Sequence, residues 1–314
     1  MAVITTAAAG SLLTPANWVG GVLPTPLDDV WIMHSMTLAD GETFSALRIG
    51  YGGTSTSKIT VAGTCTINAD LWFSAEGERT MAGAVVFLPT TGGTLTWNGN
   101  VTTGPTTDGF TVNHSSLIVN GNVTPGIGNE ITGGAIFSMG NGRVTINGHV
   151  IGTLVNRSQV WRASSSASSA IVRLNGDMRA GAFNNNGRGG LSIITGDLAG
   201  GKISLSSSFG GGVVVGGRIY DANDGSPGIT IDGAAFIVMC RGEAFQSETC
   251  INMAGGVLMQ FGERVITPAG LPPTIWNMPG VEDVTADMPY MEPLGLIGEA
   301  NNRALTLSTG VFLA

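Results

Sequence analysis

Charge is scarce in this sequence. Asp, Glu, Lys and Arg make up 11% of its 314 residues, against roughly a quarter in ordinary globular domains. Lys and Arg number 14 against 22 acids, for a net charge of −8, and no basic cluster occurs. The electrostatic term that drives nucleic-acid binding is therefore missing. Runs rich in Glu, Lys, Leu and Ala that would form long helices are absent. Cysteines number three, Cys65, Cys240 and Cys250, in no metal-ligand spacing. They read as buried thiols of a chain assembled in a reducing cytoplasm. No apolar run approaches the ~18 residues of a membrane span, so no membrane insertion is expected. The opening Met1-Ala2-Val3-Ile4-Thr5-Thr6 lacks the basic start and apolar core of a signal peptide, and secretion by the usual route is not expected.

Signatures of chemistry are equally thin. No Gly-x-Ser-x-Gly elbow occurs, and the runs Gly210-Gly211-Gly212 and Gly216-Gly217 open no helix with a lysine, so they are not phosphate loops. His34, His114 and His149 are scattered, and no cofactor or metal is expected. Asp28 and Asp29 are adjacent, so on a strand they point to opposite faces and read as turn and cap acids. Asp221, Asn223 and Asp224 resemble part of a calcium loop, but Gly225 comes one position early and no glutamate closes it; a solvated turn is the better reading. Glu243 and Glu248 near Arg241, and Glu263 beside Arg264, read as surface ion pairs rather than paired catalytic acids.

What the chain does have is glycine, 49 residues of it, with Ser, Thr and Asn standing where charge would usually be. Thr favours strands, while Asn and Gly suit tight corners, so the chain reads as nearly all β. Seven segments run from two or three apolar alternations into a glycine turn, among them Leu95-Thr96-Trp97-Asn98-Gly99, Leu117-Ile118-Val119-Asn120-Gly121 and Val144-Thr145-Ile146-Asn147-Gly148. Their glycines fall at 99, 121, 148, 176, 196, 217 and 233, giving gaps of 22, 27, 28, 20, 21 and 16. A degenerate unit of this length is the mark of a solenoid. Asn-Gly between apolar arms is also a hairpin signal, which would make an antiparallel meander or sandwich. The short arms after the turns favour a parallel β-helix, with alternate residues stacked inward and the turn residues stacked at a corner where positive φ is needed.

Proline divides the chain. Six of 13 prolines lie between Pro268 and Pro293, and only Pro227 lies between residues 126 and 267, as a stack of central strands requires. Three parts are expected: an N-terminal cap and particle-docking region over 1–57, the parallel β-helix over 58–265, and an extended C-terminal oligomerisation arm over 266–314. Trp18 and Trp31 are expected to seal the cap. In the arm, Trp276, Met278, Tyr290 and Phe312 are the expected oligomer contacts, since exposed apolar side chains on an extended segment bury against a neighbour. Trp161 and Arg162, followed by the serine run 164–169, are the expected glycan contact on an outward loop.

The opening, with Asn17-Trp18-Val19-Gly20-Gly21, Pro24, Asp28-Asp29-Val30 and Ile32, resembles the start of phage tail-fibre and adhesin-like β-helix proteins, and the Asn-Gly-punctuated coils are similar in style. The resemblance implies a bacteriophage virion protein assembled in the host cytoplasm: a right-handed, homotrimeric β-helix appendage, a tail fibre or spike for host attachment, contacting other virion proteins of tail or capsid and a host surface glycan. It leaves two alternatives, a capsid decoration protein anchored to the phage head and a polysaccharide-degrading tailspike enzyme. Intact spikes of that kind carry a longer head-binding region and a larger catalytic barrel, and no convincing set of groove acids appears here, so a non-enzymatic role is expected. A bacterial autotransported adhesin is disfavoured by the missing signal peptide.

Overall fold

The structure, a computed structural model, describes residues 2–38, 40, 42–49, 58–61, 63–73, 85–87, 92–103, 109–125, 135–152, 159–163, 170–185, 190–205, 211–222, 225–231, 236–241, 251–253, 256–261 and 281–283. Among them there is no α-helix; apart from a single 3₁₀ turn, Pro15–Asn17, the regular structure is β. The chain divides into two compact units, residues 1–152 with 157–162, and residues 153–156 with 163–314. Each is a parallel β-solenoid, as the spacing of the glycine turns predicts.

In the first unit one sheet stacks Val3–Thr5, Asp29–Ile32, Glu42–Ile49, Cys65–Phe73, Thr94–Asn98, Ser116–Asn120 and Arg143–Ile146 in chain order. The second sheet stacks Gly10–Ser11, Met36–Leu38, Lys58–Val61, Val85–Phe87, Gly109–Val112, Ala135–Met139 and Gln159–Ala163. The chain alternates between the two sheets, and successive strands of each pair in parallel. The Asn-Gly segments are therefore corners of coils and not hairpin turns. Side-chain alternation does the rest: residues of one parity stack in columns inside the coil. Val30, Leu47, Leu71, Val101 and Val123 form one such column, in register and fully buried. Met36, Ile59, Val86, Phe110 and Phe137 form another on the opposite sheet. Phe110 stacks on Phe137 at 5.6 Å and meets Phe73 and Trp97 edge-on at 5.4 and 6.1 Å, geometries that ring quadrupoles favour.

In the second unit Ile171–Leu174, Gly190–Ile194, Gly211–Val215, Phe236–Arg241, Gly256–Phe261 and Val281–Asp283 form one sheet. Ala182–Asn185, Lys202–Leu205, Ile229–Ile231 and Ile251–Met253 form the other. Leu174, Ile194 and Val215 stack in one buried column and Met178, Leu198 and Ile219 in a second. Strands thus occur within both segments set apart in the sequence, from Val3 in 1–57 and at Val281–Asp283 in 266–314.

The first strand is covered along the end of its outer edge. Asn17–Val19 runs antiparallel across it: Val19 N donates to Thr5 O at 2.9 Å and Ala7 N to Asn17 O at 2.7 Å, around a Thr6–Trp18 bridge. Trp18 is buried, and its indole N–H donates to Leu12 O at 2.8 Å. Such a strap shortens the template for edge-to-edge pairing.

Candidate functional site

The coil corners come first, because they fix everything outside them. In the first unit Asn98 donates through Nδ2 to Oδ1 of Asn68, Asn120 to Asn98, and Asn147 to Asn120, each at 2.7 Å. One step further along each corner, Asn100 N donates to Asp70 Oδ1, Asn122 N to Asn100 Oδ1, and His149 N to Asn122 Oδ1, at 2.7 to 2.9 Å. The second unit repeats the device with acids: Asp197 N donates to Asp177 Oδ1 at 2.9 Å and Arg218 N to Asp197 Oδ1 at 2.7 Å. Between these rows sit the glycines. A Cβ on Gly99, Gly121 or Gly148 would fall onto the carbonyl oxygen of the corner before it in the stack, that of Ala69, Gly99 and Gly121 respectively. Only Gly99 of these three has a positive φ. The expectation of positive φ at every corner is thus corrected: the coils need glycine there because adjacent backbones touch.

On the outer face of the first unit's strands one row stands out. The residues in register across four rungs are Thr5, Trp31, Arg48 and Trp72, continued by Thr102 and Thr124. All three large side chains are half-buried and lie on the face opposite the buried column. At one strand spacing per rung, Trp31 and Trp72 stand about 10 Å apart, with Arg48 between them. The guanidinium carbon lies 5.1 Å from the centre of the Trp72 ring, within cation–π range. Arg48 Nε also contacts both carboxylate oxygens of Asp29, at 2.8 and 2.9 Å. The result is a rigid strip of two indoles and a guanidinium, edged by an acid. Trp31, expected to seal the cap, belongs to this strip. Only the register brings these residues together, since they are 17 and 24 positions apart in the chain.

The residues singled out from the sequence fare differently. Trp161 and Arg162 lie within the strand Gln159–Ala163 of the second sheet, not on a loop. Strand propensity of Val160-Trp161 and a buried Val160 explain the difference; the side chains of Trp161 and Arg162 lie outside the described residues. So do Trp276, Met278, Tyr290 and Phe312, along with Asn223, Asp224, Cys250 and the glutamates 243, 248 and 263. Asp28 is a turn acid, accepting from Thr25 N and Thr25 Oγ1 at 2.8 Å. Those bonds, with one from Ala2 N, hold its carboxyl below the usual range. Asp221 precedes a tight turn in which Ala222 N donates to Ser226 O and Gly225 N to Ala222 O, both at 2.8 Å. His149 occupies a corner, and His34 Nδ1 contacts Thr6 Oγ1 at 3.0 Å. Cys65 is a buried free thiol, and burial, with Asp40 and Glu42 nearby, pushes it up to about 11. Among the described residues no three His, Cys, Asp or Glu side chains are gathered as metal ligands would be.

Comparison of the chain with protein-family models, with curated proteins and with solved structures found no match.

Proposed function

We propose that this chain is a structural protein of a bacteriophage virion, a trimeric, right-handed β-helix appendage of the tail-fibre or spike kind that attaches the particle to its host. The observation that carries the reading is the pair of parallel solenoids whose corners are tied rung to rung by side-chain ladders. Such a scaffold is stiff and offers long lateral surface for association and contact. The opening residues that resemble tail-fibre proteins supply the virion setting. In this reading the protein is not an enzyme, and the strip Trp31, Arg48 and Trp72 is the glycan-contact surface. Indole edges and a guanidinium on the outer strand face supply apolar contact for a sugar ring and charge-assisted hydrogen bonds for its acidic substituents.

Four measurements test this. Particles carrying labelled protein, viewed by electron microscopy, show the label on the tail; label over the head turns the reading to a capsid decoration protein, and no label on particles ends it. Mass in solution gives three chains per assembly. Incubation with host capsule or O-antigen releases no reducing ends; release would make the protein a polysaccharide-degrading spike. Trp72→Ala lowers binding to host cells roughly tenfold, the equivalent of about 1.4 kcal/mol, while leaving the corner ladders intact.

A further inference from the structure

The corner ladders hold a reactive dipeptide. Asn-Gly occurs six times in the chain, and in it the side-chain amide is open to attack by the next backbone nitrogen, because glycine has no side chain to hinder the approach. The reaction needs no catalyst and only water as co-reactant. The glycine nitrogen bonds to the asparagine Cγ, and its proton passes through water to the side-chain nitrogen, which leaves as ammonia. A cyclic imide remains. Water then opens the ring at one carbonyl or the other. One product is aspartate; the other is isoaspartate, in which the main chain runs through the former side chain and is longer by one carbon. The first step demands that Cγ sit on the glycine nitrogen, so it depends on the asparagine being able to turn.

At two of these dipeptides the fold opposes that turn. Asn98 Nδ2 donates to Asn68 Oδ1 while Asn98 Oδ1 accepts from Asn120 Nδ2, both at 2.7 Å. Asn120 is held the same way between Asn98 and Asn147, again at 2.7 Å. At the first of them the nucleophile is held as well, since Gly99 N donates to Asn120 O at 3.2 Å. Swinging either Cγ onto its glycine breaks both amide bonds of that asparagine, so reaction waits for the coil to open. Once isoaspartate has formed, the coil has no room for it. Adjacent corners already touch: a single Cβ on Gly121 would strike the Gly99 carbonyl, and a lengthened main chain there breaks the register of the stack. We propose that Asn98-Gly99 and Asn120-Gly121 are latent self-modification sites. The ladder keeps them closed, opening of a coil converts them, and isoaspartate then bars that coil from closing again.

Peptide mapping by mass spectrometry of the full-length protein, kept at mildly alkaline pH, reads each site by the mass gain of deamidation. In folded wild type Asn98 and Asn120 convert at least about a hundredfold more slowly than in protein unfolded in guanidinium. Two variants separate the ladder from folding in general. Asn120→Ala removes the donor to Asn98 Oδ1 and speeds Asn98 roughly fivefold in the folded state, the scale of one hydrogen bond. Asn147→Ala removes the donor to Asn120 Oδ1 and speeds Asn120 by a like factor, with Asn98 unchanged. In wild type warmed to partial opening and then treated with protease, isoaspartate at 98 or 120 is found in the digested fraction and is absent from the resistant one. Four results would overturn the proposal: conversion in folded wild type at the unfolded rate, a variant that leaves its target site unchanged, equal acceleration of Asn98 and Asn120 in Asn147→Ala, or isoaspartate at either position in the resistant fraction. The comparison of folded with unfolded wild type and the protease fractions decide the matter even where a variant does not fold.

Discussion

Gly121 has no room for a methyl group. Its Cβ would sit on the Gly99 carbonyl, with backbone on the other side unable to retreat without breaking the register of neighbouring rungs. Gly121→Ala is expected to cost about 3 kcal/mol by overpacking. Gly92 is the contrast: its φ is +83 and nothing lies within 4 Å of a Cβ there, so Gly92→Ala costs only the left-handed penalty of about 1 kcal/mol. Denaturation midpoints of the two variants check the difference. Two titrating residues give opposite pH signatures. Asp28 is held below its usual 3.8 in the folded chain by its bonds to Thr25; its contribution is present above that value and lost as pH falls through the lowered one, and Asp28→Asn removes that acid sensitivity of the 25–28 turn. Cys65 is raised from 9.0 to about 11, so its contribution is present below pH 9 and lost as pH rises through that interval. At pH 8 native protein is expected to react far more slowly with a thiol reagent at Cys65 than unfolded protein does. The turn character of Asn98-Gly99 and its fellows was legible in the sequence. The reason for the glycine was not, because its steric partner is the preceding coil, 22 to 30 residues back in the chain.

Strands that look alike in sequence differ in what covers them. Ser116–Asn120 alternates buried and part-exposed side chains, whereas Gly190–Ile194 and Gly211–Val215 are buried at every position. Ile193 and Val214 share a row with Arg173, whose side chain is on the outer face beside exposed Asn175. They are outward by register and yet almost wholly inaccessible. Ile193→Asp is therefore expected to lose more than about 4 kcal/mol, the scale of an unpaired buried charge. Thr145→Asp, outward in the first unit, stays within about 0.5 kcal/mol of wild type. Thermal melts of both variants decide it. Alternation announced the solenoid; the adjacent apolar residues Ile193-Ile194 and Val213-Val214-Val215 carried the further signal of a doubly covered strand. The strip Trp31, Arg48 and Trp72 stayed hidden for a different reason. Rungs of unequal length bring it together, and no fixed period in the chain marks it.

At the scale of the molecule, the corner ladders make each coil of the first unit interchangeable with the next. Asn98-Gly99-Asn100 and Asn120-Gly121-Asn122 occupy equivalent places, so excising residues 99–120 joins Asn98 to Gly121 and restores the same tripeptide. Three strands leave together, Val101–Thr103 and Ser116–Asn120 from one sheet and Gly109–Val112 from the other, and the buried column that ran through Val101 closes with Val123 above Leu71. That deletion variant is expected to fold and melt cooperatively, as circular dichroism with temperature would show. Removing only residues 99–109 leaves the sheets out of step and is expected to yield no soluble protein. The stacked asparagines thus act as a vernier. Descendants of this sequence can grow or shrink by whole turns without redesign, while any fractional change is rejected at the first mismatched notch.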